Sequence, residues 1–325
     1  MQYPRKIYWS NNQKKYPFTA DPGGRGIPDA NKLYWENPPA PAWMRPKRRR
    51  SGCSRFGCSL LLLPGLFLIF ILAFYFLAPL TTNTLILGID YVEPWSWAAR
   101  TDTIIFLSVN PLKPKVTMLS IPRDLWVTIP GIGDNRINTA HFFAEVQQPG
   151  TGPLKALETV RENFGLRAGY YVRVRFDGFK EVINAMGGID IDLQEPMAGY
   201  PPGRHHLTGN KALAFARSRL GSDDFYRMQQ GQIVIKSAMR KMLNPQNWTR
   251  IPAVTLAMLR SIDTNLPVWQ YPRLGLALLR AGPDRMDSRT IQREMVTPYT
   301  TDQGANVLIP DWSKINPLLI EMFGQ

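Results

Sequence analysis

The chain is 325 residues long, 44% apolar, with a formal net charge of +14. Length and composition supply a real core for one large domain or two smaller ones, and exclude a chain too polar to fold. Its two cysteines, Cys53 and Cys58, exclude a disulfide framework and a cysteine nucleophile from everything after residue 58.

Residues 1–58 hold twelve Lys or Arg against three acids, and so carry +9 of the net charge. Rich in Pro, Gly, Asn and Lys and lacking helical or strand period, this segment reads as a disordered cytoplasmic tail. Its two cysteines, five apart with no nearby His, read as free or lipid-modified thiols. From Ser59 to Leu80 no residue is charged, and as a helix the run would reach about 33 Å, the thickness of a bilayer core. Six basic residues, Arg45, Lys47, Arg48, Arg49, Arg50 and Arg55, stand just before it. By the positive-inside rule residues 59–80 are a single-pass signal-anchor, which puts residues 84–325 outside the cell membrane. Insertion topology and anionic headgroups account for the basic run, so no nucleic acid partner is expected.

Beyond the anchor, TLILGID (84–90) reads as a buried strand that delivers an acid at its end. RTDTIIFLSVNP (100–111) and KVTMLSIPRD (115–124) are two more strands separated by a Pro-Lys turn. Residues 152–165 have helical spacing and stop at Gly165. YVRVRF alternates as a strand, 179–186 is a short helix, and 189–193 alternates again. Residues 207–216 form a helix after a Thr208 cap. Met228, Gln232, Ile235, Met239 and Met242 make one stripe of a long helix. Residues 251–259 and 274–279 add apolar helical surface, and Asp311 caps a last helix running to Phe323. This mixed order predicts an α/β fold with helices layered on a sheet.

No Ser-His-Asp, Cys-His or zinc-ligand arrangement assembles from these segments. His205 and His206 read as solvated and His141 as a core or capping residue. What remains is acids and arginines. Arg217 and Arg219 are two apart, so an extended backbone would send both guanidinium groups to one side, with Arg227 opening the helix that follows. Two cations about 6 Å apart repel by roughly 3 kcal/mol at an effective dielectric near 20, so a converging set calls for an anion. Either internal acids such as Asp223 and Asp224 supply it, or phosphate does. Asp90 and Asp102, at the edges of neighbouring strands, would suit magnesium, and Arg123 ends a third strand. Gln232 would face inward beside the arginines. A metal with several arginines around one centre is equipment for phosphoryl transfer.

LGID (87–90), RTDT (100–103), SIPRD (120–124), RIN (136–138), GGIDI (187–191), LTGNKALAFARSR (207–219) and SDDFYRMQQGQ (222–232) occur in that order. As an ordered set they resemble the LytR-CpsA-Psr family across roughly residues 84–243. The resemblance implies a three-layer α/β/α sandwich with a central mixed sheet and an apolar lipid pocket, carried behind a membrane anchor. It also implies transfer of a glycopolymer from a polyprenyl-pyrophosphate carrier to peptidoglycan. By motif, Asp90 and Asp102 correspond to the magnesium ligands. Arg100, Arg123, Arg217, Arg219 and Arg227 correspond to the pyrophosphate clamp, Arg123, Arg217, Arg219 and Asp102 being the catalytic members, and Gln232 to one of two adjacent glutamines. The family's R-x-x-R-Q-Q is here Arg227-Met228-Gln229-Gln230-Gly231-Gln232, so one clamp cation and one amide are replaced. A hydrolase using water as acceptor, or a binding protein without turnover, fits the same residues.

Overall fold

The computed structural model describes residues 55–77, 81–90, 98–110, 115–218, 220, 224–282 and 285–324, the side chains of 55–63, 77 and 224 excepted. The tail expected over 1–58 is therefore almost wholly outside the described residues, as are Cys53, Trp95, Trp97, Arg219 and Asp223. By internal contacts the chain divides into Met1–Ser59 and Leu60–Gln325.

The first helix, α1 (Arg55–Leu77), contains Pro64 and exposes a series of Leu, Ile and Phe side chains between Leu66 and Phe74. Among the described residues no helix is long and apolar enough to cross a membrane. Part of the expected span, 78–80 and several side chains, lies outside them.

Three strands come first, β1 (Thr82–Ile89), β2 (Thr101–Asn110) and β3 (Lys115–Ile121). A small hairpin, β4 (Trp126–Ile129) and β5 (Gly133–Arg136), leads to α2 (Thr139–Gln147) and α3 (Gly152–Phe164). The latter ends as its spacing predicts: Gly165 takes the left-handed conformation, φ 68°, and its N–H bonds back to Arg161 O. Next are β6 (Tyr170–Arg175), α4 (Phe176–Ala185), a hairpin of β7 (Ile189–Leu193) and β8 (Gly203–Leu207), and α5 (Gly209–Arg217). The long α6 (Asp224–Leu243) is followed by α7 (Ile251–Ser261), β9 (Ile262–Thr264), α8 (Gln270–Ala281) and β10 (Met286–Thr290). A last hairpin, β11 (Val296–Thr300) and β12 (Asn306–Pro310), precedes α9 (Trp312–Phe323), where Asp311 accepts from Ser313 N as a cap should.

Six strands form one mixed sheet in the order β10-β3-β2-β1-β6-β9. β1 runs antiparallel to β2 and parallel to β6, and β3 antiparallel to β2 and parallel to β10. Alternation sets the layers. Leu85, Leu87, Ile104, Phe106, Leu119 and Ile121 face one way and pack on α2, α3 and α9. Ile105, Val109, Val116 and Met118 face the other way, onto α6 and α8. A third cluster joins α4, α5, α6 and α7 to β7 and β8. The layering is thus α/β/α.

The segment 189–193 is a strand as its alternation predicts, and among the described residues it pairs with β8, outside the central sheet. One local expectation changes. Arg217 is not extended: α5 runs through it because Ala212 and Phe215 bury its inner face, and Ser218 is the first residue past the helix. A common strand face for Arg217 and Arg219 is therefore not how this stretch is built.

Candidate active site

The end of the sheet where β1, β3 and β6 finish collects most of the acids and arginines singled out from the sequence. Asp90 follows the last residue of β1, and Arg123 lies two residues past β3. Between β1 and β2 the pairing passes from Gly88 opposite Thr103 to Ile89 opposite Thr101, so Asp102 is the extra residue of a β-bulge. A bulge takes a side chain out of the alternating pattern and re-aims it. Gly88 permits this: a Cβ there would stand 2.9 Å from Thr103 Cβ, closer than two carbons tolerate.

Two charge pairs result. Arg123 Nη1 donates to Asp102 Oδ1 at 2.7 Å, and Arg217 Nη2 donates to Asp90 Oδ2 at 2.6 Å. The Arg217 guanidinium also lies 4.6 Å from the centre of the Phe176 ring, a cation–π contact from the first residue of α4. Arg123 Nε reaches Asp124 at 3.3 Å, and Asp124 meets Arg136 Nε at 3.6 Å. All four members of the two pairs remain partly open to solvent. Arg100 stands exposed just before β2, and Arg227 is half-buried in the first turn of α6. Arg175, which the sequence reading passed over, ends β6 in register with Ile89 and adds a cation to this edge.

Gln232 goes elsewhere. It is buried, and its Nε2 donates to Ser120 Oγ at 2.9 Å and to Arg289 O at 2.7 Å, tying α6 to β3 and β10. Gln230 is 1% exposed, and its Oε1 has no hydrogen-bond partner among the described residues. Gly231 has nothing within 4 Å of where a Cβ would be, so the missing glutamine is not a matter of space. Gln232 also borders an open cleft of about 860 Å³ whose wall includes Tyr226, Gln229, Thr290, Gln292 and Arg293.

Behind the edge is a buried cluster. Arg173, 3% exposed, meets Glu145 Oε2 at 3.1 Å, Asp263 Oδ2 at 2.7 Å and His141 Nε2 at 3.1 Å. His141 Nδ1 faces Ala99 O at 2.9 Å, so Nδ1 carries the proton and Nε2 accepts from the guanidinium. The ring is neutral, and burial above all keeps its pKa below the ordinary 6.5, with Arg173 adding to the effect. Burial pushes Glu145 up, but the Gly150 and Gly152 N–H groups and Arg173 outweigh it and hold that carboxyl below its ordinary value. The cluster reaches the site through the backbone. His141 holds the carbonyl just before Arg100, while Asn138 O accepts from Thr101 N and Asn138 N donates to Arg123 O. The opening of α2 thereby fixes both arms that carry Asp102 and Arg123. His206, by contrast, is half-exposed on the β7–β8 hairpin and bonded to Asp190, whose pKa it lowers.

Among the described residues no group of three or more His, Cys, Asp or Glu converges as a protein metal cage. The edge instead offers two carboxylates and several guanidinium groups, a set able to neutralise a multiply charged oxyanion.

Residues 79–321 match the LytR_cpsA_psr family. A relative from Oceanobacillus iheyensis, named polyisoprenyl-teichoic acid to peptidoglycan teichoic acid transferase TagU, is 35% identical over 190 residues, 57% of this chain and 58% of that protein. Staphylococcus aureus MsrR, named a regulatory protein, is 28% identical over 217 residues, 64% of each chain. The chain thus spans less than two thirds of the curated relatives it matches. Among solved structures, Bacillus subtilis TagV superposes with a TM-score of 0.61 at 24% identity, covering 76% of this chain and 98% of that one. TagT bound to LIIa-WTA gives 0.60 at 23%, covering 75% and 90%. These two likenesses concern the fold. The family match extends over most of the chain and contains both charge pairs: the chain belongs to the LytR_cpsA_psr family.

Proposed function

We propose that the chain moves a glycopolymer from a polyprenyl-pyrophosphate carrier to a peptidoglycan hydroxyl, forming a phosphodiester. The observation that carries this reading is the pair of ion pairs, Asp102 with Arg123 and Asp90 with Arg217, partly open on one sheet edge. Membership of the family and the printed name of the TagU relative agree with it.

Each guanidinium rests on a carboxylate, and an incoming pyrophosphate would take the place of that carboxylate. Arg123 and Arg217 then grip phosphate oxygens, with Arg100, Arg219 and Arg227 completing the clamp. Asp90 and Asp102 are the residues that would hold a divalent cation. Two hard carboxylates with room for water and phosphate oxygens suit magnesium, which needs no complete protein cage. When bound, the ion supplies charge neutralisation at the pyrophosphate. The acceptor hydroxyl attacks the sugar-linked phosphorus. The bond from that phosphorus to the bridging oxygen breaks, and polyprenyl phosphate leaves with the electron pair. The hydroxyl proton passes to Asp102 or Asp124 and from there to water. Charge positioning does most of the work in such a transfer, and a strong base is not required.

Residues 59–80 serve in this reading as the signal-anchor, holding the N-terminus in the cytoplasm and residues 84–325 outside. The uncharged run and the six preceding basic residues support it.

The test is release of polyprenyl phosphate from a synthetic lipid-pyrophosphoryl glycan by the full chain in detergent, with magnesium or EDTA, with or without peptidoglycan oligomers. Transfer predicts glycan joined to the oligomer, loss of release in EDTA, and a fall of about 10²–10³-fold in Arg123→Ala, the scale of losing one transition-state donor. Free glycan phosphate as sole product would make the protein a hydrolase. Binding without release would leave it a non-catalytic envelope protein.

A further inference from the structure

The stretch from Trp248 to Leu279 carries an unusual surface. Of sixteen large apolar side chains exposed beyond residue 80 among the described residues, ten fall within these 32 residues. Leu259 is 67% exposed, Val268 72% and Trp269 61%, values normal for lysine and costly for leucine or tryptophan.

Geometry limits what covers them. On α7, Val254 faces the core. At 3.6 residues per turn, Ile251 and Met258 leave one flank of the helix, and Leu259 and Leu256 continue the exposed arc to about 160° from Met258, turned away from Val254. A single acyl chain fills a groove and would cover one side. The exposed positions here form an arc wider than one groove and continue through the loop onto α8, where Leu276 and Leu279 are also open.

Charge narrows the partner. The stretch contains one acid, Asp263, and that carboxylate is bound to Arg173. Arg250, Arg260 and Arg280 are exposed among the apolar residues, with Trp248, Trp269 and Tyr271 beside them. Apolar residues with interfacial aromatics and arginine, and no competing acid, match a bilayer surface that bears anionic headgroups.

Topology gives a second, independent support. Asn265 binds both Gly169 O and Tyr171 N, and Tyr170 is in register with Thr84 near the start of β1. The loop that exposes Val268 and Trp269 is therefore at the sheet end where the chain enters from its apolar N-terminal segment.

We propose that α7, α8 and the loop between them lie on an anionic phospholipid bilayer, as a membrane contact separate from residues 59–80. The leucines and Trp269 enter the boundary between headgroups and acyl chains, and the arginines extend to the phosphates.

The test uses the full chain with Cys53→Ser and Cys58→Ser, reconstituted in vesicles of phosphatidylglycerol or of phosphatidylcholine. An environment-sensitive fluorophore is placed on Leu259→Cys or Trp269→Cys, with Tyr299→Cys on β11 as the control. On phosphatidylglycerol the two test labels shift to the blue, lose quenching by aqueous iodide and gain quenching by brominated acyl chains. On phosphatidylcholine that protection weakens, and the label at 299 stays in water throughout. Labels at 259 and 269 open to iodide on phosphatidylglycerol vesicles overturn the proposal. So does protection from iodide without quenching by brominated acyl chains, which would mean that a second copy covers the face. The readout does not involve turnover, so it is independent of the phosphotransfer reading.

Discussion

The molecule uses the same two chemical groups, guanidinium and carboxylate, in two regions with opposite results. Around Arg173 the guanidinium, Glu145 and His141 are sealed from water, and Asp263 closes the cluster at its partly exposed rim. At the sheet edge the Arg123 and Arg217 pairs are similarly short but partly open, and each carboxylate sits where a strand ends or bulges. Burial makes the first arrangement costly to break and leaves it no room for a ligand. Openness makes the second cheap to exchange, which a binding site needs.

The sharpest test of that contrast is Arg173→Met against Arg123→Met. Removing Arg173 strands the buried Glu145, so urea unfolding should show a loss of roughly 3–5 kcal/mol. Removing Arg123 should cost within about 1 kcal/mol while turnover collapses. Equal losses of stability would dissolve the distinction. Next in size is Gly88→Val. The added carbons collide with Thr103 at the bulge, and about 1–3 kcal/mol should go with them. Donor turnover should fall further than in an equally destabilised core variant, because Asp102 is re-aimed.

The buried region alone should give a pH signature from His141. Its folded pKa is lowered, so below the ordinary 6.5 the unfolded chain binds a proton that the folded chain refuses. Stability should be level above pH 6.5 and fall on acidification, by at most about 1.4 kcal/mol per pH unit. Glu145, also lowered, adds a second loss as pH drops below 4.5. His141→Asn should remove the first limb of the curve and keep the second. The smallest expected effect is a gain: Gly231→Ala, with nothing to meet its Cβ, should stabilise α6 by about 0.5–1 kcal/mol.

Much of the framework was legible because alternation and capping are local. The strands at 82–89, 101–110 and 115–121, the Gly165 stop and the Asp311 cap all follow from neighbouring residues. What escaped depends on partners far away in the chain. YVRVRF announces a strand, but nothing in it tells that Arg173 would meet an acid 90 residues later. An arginine at an inward position of a half-buried strand was the one available signal. The bulge at Asp102 needs the register of two strands, which composition does not encode. Gln232 was assigned to the interior correctly, yet its actual partners, Ser120 and the Arg289 carbonyl, come from two other elements. The helix expected over 207–216 runs one residue further, through Arg217, so the extended alternative for that arginine does not hold.

The contact between Asp90 and Arg217 closes a loop of 127 residues. Contacts that distant form late, after the intervening strands and helices have settled. A chain emerging from its N-terminus therefore displays both carboxylates long before their second arginine exists. The edge becomes complete only when more than two thirds of the sequence has been made. Assembly order thus acts as a timer, and a truncated product that keeps LGID, RTDT and SIPRD would present both acids with only Arg100 and Arg123 of the clamp.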